Sequence, residues 1–129
     1  MIVDTTFLSD LLKEDRRGIA GPARKFFAEH RKEVFRTTIV SVGEIAILFP
    51  QSEGAFNWLH RWKVHRFSDG VIRAAADIDR KLKNTGWRMG ENDNWIAGFA
   101  AFYHEPIVSH DEGFDRTGIR RVVYDRESK

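Results

Sequence analysis

The stretch Glu91-Asn-Asp-Asn-Trp-Ile-Ala-Gly-Phe-Ala100 follows a loop, Thr85 to Gly90, that contains glycine at two positions. Trp95, Phe99 and Phe102 recur at helical spacing, so the segment reads as an apolar helix with Asp93 in its first turn. An acid there accepts hydrogen bonds from amides that the helix leaves free. It also sits at the positive end of the helix dipole, which favours the ionised form. On its own such an aspartate is a cap. Asp4, Glu44 and Asp111 give it a second meaning. Each falls where an expected strand gives way to a loop or helix. In an open α/β sheet, ligands bind at that edge.

Working outward from this helix, the chain alternates short strands with helices. Ahead of it, Val71, Ala75, Ile78 and Leu82 form the cleanest helical stripe, preceded by a turn at Asp69-Gly70. Behind it, Pro106-Ile-Val-Ser-His-Asp111 reads as a strand that runs into an acid, Glu112 to Gly118 as a loop or one helical turn, and Arg120 to Tyr124 as a last strand. At the front, Met1 to Asp4 is a short buried strand. Thr5-Thr6, or Asp4 itself, then caps a helix whose inner face is Phe7, Leu8, Leu11 and Leu12. Lys13 to Arg17, Gly18 and Gly21-Pro22 read as a loop. Pro22 opens a helix with Ala23, Phe26, Phe27 and His30 on one face. Phe35 to Val40 reads as a second strand. Ser41-Val-Gly-Glu44 matches a capping box that starts the next helix. Ala55, Trp58, Leu59 and Trp62 mark a further amphipathic helix, and Lys63 to Phe67 a short strand. This order predicts an α/β fold, a parallel sheet covered on both faces and built from right-handed crossovers.

With 129 residues, the chain suits one domain spanning 1–129. Hydrophobic residues make up 42% and charged residues 31%, as in ordinary globular proteins. No apolar run is long enough for a membrane span, and no basic-then-apolar leader stands at the start. The absence of cysteine excludes disulfides and thiolate metal sites and fits a cytoplasmic setting. A net charge of +2 is compatible with a nucleic-acid partner. In Trp58-Leu-His-Arg-Trp-Lys-Val-His-Arg66, the tryptophans share a stripe with Ala55 and Leu59, which assigns them to the core or to an interface. Arg61, Lys63 and Arg66 are the better candidates for phosphate contact.

Four carboxylates brought together would repel one another and raise each other's pKa. A hard divalent cation removes that repulsion, and Mg²⁺ or Mn²⁺ takes oxygen ligands of this kind. The reaction expected of such a site is phosphodiester hydrolysis. No histidine pair at metal spacing, Gly-rich phosphate loop or nucleophilic Ser or Cys motif competes with it.

Residues 1–6 (Met-Ile-Val-Asp-Thr-Thr), 40–45 (Val-Ser-Val-Gly-Glu-Ile), 93–100 (Asp-Asn-Trp-Ile-Ala-Gly-Phe-Ala) and 107–114 (Ile-Val-Ser-His-Asp-Glu-Gly-Phe) resemble the blocks of a PIN-domain ribonuclease. The chain is similar, more narrowly, to the VapC-type toxins of toxin–antitoxin pairs. The resemblance runs through the whole chain in order and places the catalytic, metal-binding acids at Asp4, Glu44, Asp93 and Asp111. It implies a PIN-like α/β/α sandwich with a five-stranded parallel sheet, Mg²⁺ or Mn²⁺, an RNA substrate, a homodimer and a cognate antitoxin. The family often carries Asn two residues after the first Asp; here Thr6 stands there, and its hydroxyl can orient an acid or a water. Asp115 is the rival to Asp111. Glu91, Asn92 and Asn94 are candidate supporting groups, and Arg88 a candidate contact to the RNA backbone. Phe7, Leu11 and Leu12 are candidate groove residues for an antitoxin helix. The alternative is a non-catalytic PIN-like module that binds RNA or protein.

Overall fold

Strand β1 (Ile2–Val3) is the middle of the sheet, and the rest of the chain winds around it. Helices α1 (Thr5–Arg17) and α2 (Pro22–Glu29) lead to β2 (Arg36–Thr38), which pairs with one side of β1. Next come α3 (Ile39–Ala46), α4 (Ser52–Leu59) and the edge strand β3 (Lys63–His65). The chain then crosses back through α5 (Asp69–Asn84) and α6 (Glu91–Tyr103) to β4 (Ile107–Val108), on the other side of β1. A 3₁₀ turn (Glu112–Thr117) and β5 (Arg121–Val122) complete the sheet, in the order β3-β2-β1-β4-β5 with every pair parallel. The computed structural model describes residues 1–125; residues 126–129, the end of the expected domain, lie outside the described residues.

Alternation along the strands makes two cores. Val3 and Val108 face α1 to α4, among Phe7, Leu8, Leu11, Phe26, Val42, Ile45 and Leu59. Ile107 and Ile2 face the other way, toward Ile78, Leu82 and Ile96, and toward Val71 and Phe99, on α5 and α6. The result is the three-layer α/β/α arrangement expected from the sequence. On the α6 side, a Cβ added to Gly98 would stand 2.5 Å from the Ala75 Cβ. Only glycine lets α6 lie that close to α5, and this fixes where the first turn of α6 stands.

The helices differ from the sequence reading at their ends, each time for a nameable reason. The charged run Lys13 to Arg17 is helix, ended by Gly18 at φ 69°. It stays helical because one of its acids turns inward. Glu14 is buried, and its carboxylate accepts from the amides of Gly21 (2.7 Å), Ala23 (3.0 Å) and Arg24 (2.9 Å). Glu14 thus caps α2, whose own N-cap residue, Gly21, has no side chain to do so. Glu14→Ala strands three amides and is expected to cost about 2–4 kcal/mol. Urea unfolding measures it; a loss under about 0.5 kcal/mol, the level of an ordinary surface change, would mean that water replaces the carboxylate.

Asp69-Gly70 is not a free turn. Ser68 accepts from the Val71 amide, so α5 starts at Asp69. Phe7, Leu11 and Leu12 are at most 3% exposed, which removes them as a surface groove. Phe7 instead packs edge-on to Phe26 and Tyr124. The groove that does exist lies beside them. It is about 530 Å³, with Phe27, Phe35, Trp58 and Trp62 among its walls and Arg24, Arg31 and Arg61 also lining it. Trp58 and Trp62 are therefore wall residues, and the Trp58 indole N–H donates to Asp15.

Candidate active site

The sheet reverses its winding between β1 and β4, so their carboxyl ends open the crevice where α/β folds bind ligands. Asp4 follows β1 directly and is 5% exposed. It caps α1, accepting from the Phe7 amide at 2.8 Å. Of the two caps that the sequence offers for α1, the structure uses Asp4 and not Thr5-Thr6. Asp111 follows β4, caps the 3₁₀ turn through the Gly113 amide (2.8 Å), and is exposed. Asp93 is the third residue of α6, behind Gly90, which offers no side-chain cap. The helix between β3 and β4 that carries it runs back along the sheet, so its first turn lies at the same edge.

Glu44 arrives by a different route from the one expected. Thr38 caps α3, accepting from the Ser41 amide at 3.2 Å, so the helix starts at Ile39 and not at Ser41. The capping-box reading of Ser41 and Glu44 fails because Ser41 already lies inside the helix, fully buried. Glu44 is instead held from α1. Its Oε1 lies 2.6 Å from the Thr5 hydroxyl, which lies 2.9 Å from the Ser41 hydroxyl. Thr5 has one proton to give; the carboxylate can only accept, so Thr5 donates to Glu44 and receives from Ser41.

Ser109 joins the other two strand-end acids. Its buried hydroxyl bonds Asp4 and lies 2.9 Å from the Asp111 amide, from which it accepts. Thr5, Ser41 and Ser109 are the site residues that the sequence reading missed. The available signal was a small hydroxyl within two residues of an acid, or, for Ser41, three.

The electrostatics show which charges feel each other. Burial pushes the Asp4 carboxyl up to about 6, further helped by Asp93 and Asp10 and opposed by the bonds from Ser109 and Phe7. Asp93 is raised too, first by burial, then by Asp111 and Glu44. The sequence reading had the helix dipole keeping Asp93 ionised; burial and two like charges work against that. Asp93 is thus the acid through which all four are coupled.

Such a set fits a hard divalent cation: every donor is a carboxylate oxygen, and the raised acids are those that a cation would relieve. Among the described residues, no three His, Asp or Glu side chains close on a common point as they stand. Mg²⁺ needs no closed cage, since it keeps waters and uses one or two carboxylates.

Other candidates are committed elsewhere. Both oxygens of Asp115 hold Arg121 (2.8 and 3.0 Å), and this bond lowers the Asp115 pKa. Arg88 forks onto Asp79 at 3.1–3.2 Å. Asn94 donates to the Ala75 carbonyl and so ties α6 to α5. Thr6 is exposed, and the hydroxyl that orients an acid is that of its neighbour, Thr5.

Comparison with known proteins agrees with this architecture. VapBC2 from Rickettsia felis, solved bound to a DNA fragment from its promoter, is similar at TM-score 0.81 and 15% identity, covering 96% of this chain and 98% of that one. VapBC from Salmonella typhimurium, also DNA-bound, reaches TM-score 0.79 at 17% identity, covering 95% and 96%. VapBC-1 from nontypeable Haemophilus influenzae gives TM-score 0.75 at 20% identity, covering 95% and 96%. A comparison with curated proteins finds no match. The family model that matches is the PIN domain, over residues 1–120. With its five parallel strands and its acids at the switch point, the chain belongs to the PIN domain family.

Proposed function

We propose that this chain is a Mg²⁺- or Mn²⁺-dependent endoribonuclease, the toxin of a VapC-type toxin–antitoxin pair acting in the cytoplasm. The observation that carries the reading is the coupling of Asp93 to Asp4, Glu44 and Asp111, four acids from four separate segments at one sheet edge. Those four would hold the ion. When bound, it lowers the pKa of a water and neutralises charge on the phosphoryl group. Thr5 fixes the rotamer of Glu44, and Ser109 sets Asp4 and Asp111 relative to each other.

Among the solved structures with this fold, one from Mycobacterium tuberculosis is called a member of the VapBC family of toxin-antitoxin systems and one from Klebsiella pneumoniae a toxin-antitoxin complex. For the antitoxin, the groove walled by Phe27, Phe35, Trp58 and Trp62 offers an apolar floor with basic side chains around it. That chemistry suits an amphipathic segment with acidic flanks. Exposed Ile72, Phe102 and Tyr103 on the α5–α6 side supply a face for a second copy. Among the described residues, no helix is long and apolar enough to cross a membrane.

The deciding experiment is cleavage of a mixed cellular RNA pool by pure, antitoxin-free protein with Mn²⁺. Discrete fragments that EDTA suppresses are expected; intact RNA with folded protein would overturn the reading. Binding of the ion to the folded state alone also stabilises it, by about 2.7 kcal/mol at a hundredfold excess over Kd. An unchanged Tm in millimolar Mn²⁺ would exclude tight binding in the absence of RNA.

A further inference from the structure

Four arginines, Arg88, Arg116, Arg120 and Arg121, belong to the segments that carry or flank Asp93 and Asp111. Arg88 is forked onto Asp79, and Arg121 onto Asp115 and the Ser109 carbonyl. Arg116 is different. Among the described residues it pairs with no carboxylate; its guanidinium lies over the Trp87 ring, 4.1 Å from the centroid. Trp87 is pinned at the end of α5 by its amide, which donates to the Leu82 carbonyl. The ring reaches toward Asp111. The point where a Cβ on Gly113 would stand is 3.3 Å from Trp87 Cη2 and 3.0 Å from Asp111 Oδ1. Ring edge and carboxylate therefore meet over Gly113, and Arg116 rides on the ring beside them.

An exposed arginine on the segment that follows Asp111, with Glu112 and Asp115 beside it in sequence, has electrostatic reason to fold onto a carboxylate. Stacking on the indole competes with that, because an exposed cation–π contact is comparable in strength to an exposed ion pair. Stacking uses the flat face of a guanidinium and leaves its N–H edge, the part that matches a phosphate, available for one. A phosphodiester beside the acids needs such a cation, since carboxylates alone repel it.

We propose that Arg116 binds a backbone phosphate of single-stranded RNA next to the bond that is cut, with Trp87 as the positioning residue that keeps it off the acids. The inference rests on the ribonuclease reading and replaces Arg88 with Arg116 as the backbone contact.

The test is binding of a fluorescent oligouridylate across a salt titration, in the Asp93→Asn background so that no cleavage intrudes. One phosphate contact on a single strand contributes about 0.7 to the slope of log K against log salt. Arg116→Ala is expected to lower the slope by about that amount and to weaken binding about threefold to tenfold near physiological salt. Trp87→Phe should keep both values. Trp87→Ala should weaken binding, and adding it to Arg116→Ala should change nothing further. A structural role alone would not move the salt slope. In the otherwise wild-type chain, Arg116→Ala should also leave the Mn²⁺-induced Tm shift intact. An unchanged slope and affinity in Arg116→Ala, with the parent binding, would overturn this proposal alone. No binding by the parent would overturn it together with the ribonuclease reading.

Discussion

Asp93→Asn is expected to lower RNA cleavage at least about a hundredfold while leaving the protein as stable as before or slightly more so. The two halves of this expectation have one origin. Asp4 and Asp111 each accept a backbone amide, and Glu44 holds the Thr5 hydroxyl. Asp93, among the described residues, has no such bond; burial and the charges of Asp111 and Glu44 bear on it. Removing its charge therefore breaks nothing and relieves repulsion in the folded state. It also removes the acid that couples the set. The check is cleavage with Mn²⁺ alongside urea unfolding of the same preparations. A variant that cuts like wild type, or one that loses activity only as it loses stability, would show that Asp93 is no more than a helix-terminal acid.

Asp4→Asn is expected to stabilise the metal-free protein at pH 8, by up to about 3 kcal/mol. The Asp4 carboxyl ionises near 3.8 in the unfolded chain and at about 6 in the folded one. Between those values, unfolding releases a proton. The stability that the bound proton contributes is thus fully present below 3.8 and is lost as pH rises through about 6. Roughly two pH units at 1.36 kcal/mol each give the magnitude. Asparagine keeps the cap on the Phe7 amide, so the change removes the buried charge and little else. At pH 4 the variant and wild type should be close. If the four acids hold the ion as proposed, saturating Mn²⁺ should reverse the order at pH 8, since only wild type keeps all four. Urea midpoints at the two pH values, with and without Mn²⁺, test all of this. A variant less stable than wild type at pH 8 without metal would mean that the buried carboxylate costs the fold nothing.

Periodicity carried the helices that have one buried stripe. Val71, Ala75, Ile78 and Leu82 are all buried along α5, as their spacing demands. It carried the strands less well, because strands of two or three residues are only an apolar beat before a polar one. Ile39 and Val40 look like the end of β2 and fold as the start of α3, because Thr38 supplies a cap three residues before Ser41. The local rule matched Ser41 to Glu44 correctly as a pattern but could not see that the Ser41 hydroxyl would face Thr5 on another helix. The same blindness explains Arg88 and Glu14. Whether a charge is free or spent depends on a partner that the fold delivers, as Asp79 is delivered to Arg88. The places of Asp4 and Asp111 were legible because strand ends are local features, and that of Asp93 because a helix start is one; Glu44, inside α3, was matched to the wrong helix start. The hydroxyls that hold them, such as Thr5 on Glu44, join residues remote in sequence and leave no local trace.

The place of β1 at the centre of the sheet sets an order of events during synthesis. A chain leaving the ribosome carries Asp4 and Glu44 well before Asp93 and Asp111 exist. Until Ile107 and Val108 dock beside Ile2 and Val3, one margin of the first strand is bare and open to unwanted pairing. The Ser109 bridge to Asp4 forms at the same moment, since Ser109 comes directly after β4. For a ribonuclease of the kind proposed, the site would therefore come into being only once the segment from Ile107 to Asp111 has been made and has docked beside β1. On that reading, a nascent chain that ends before Asp93 would hold two of the four proposed acids and would not yet cut RNA.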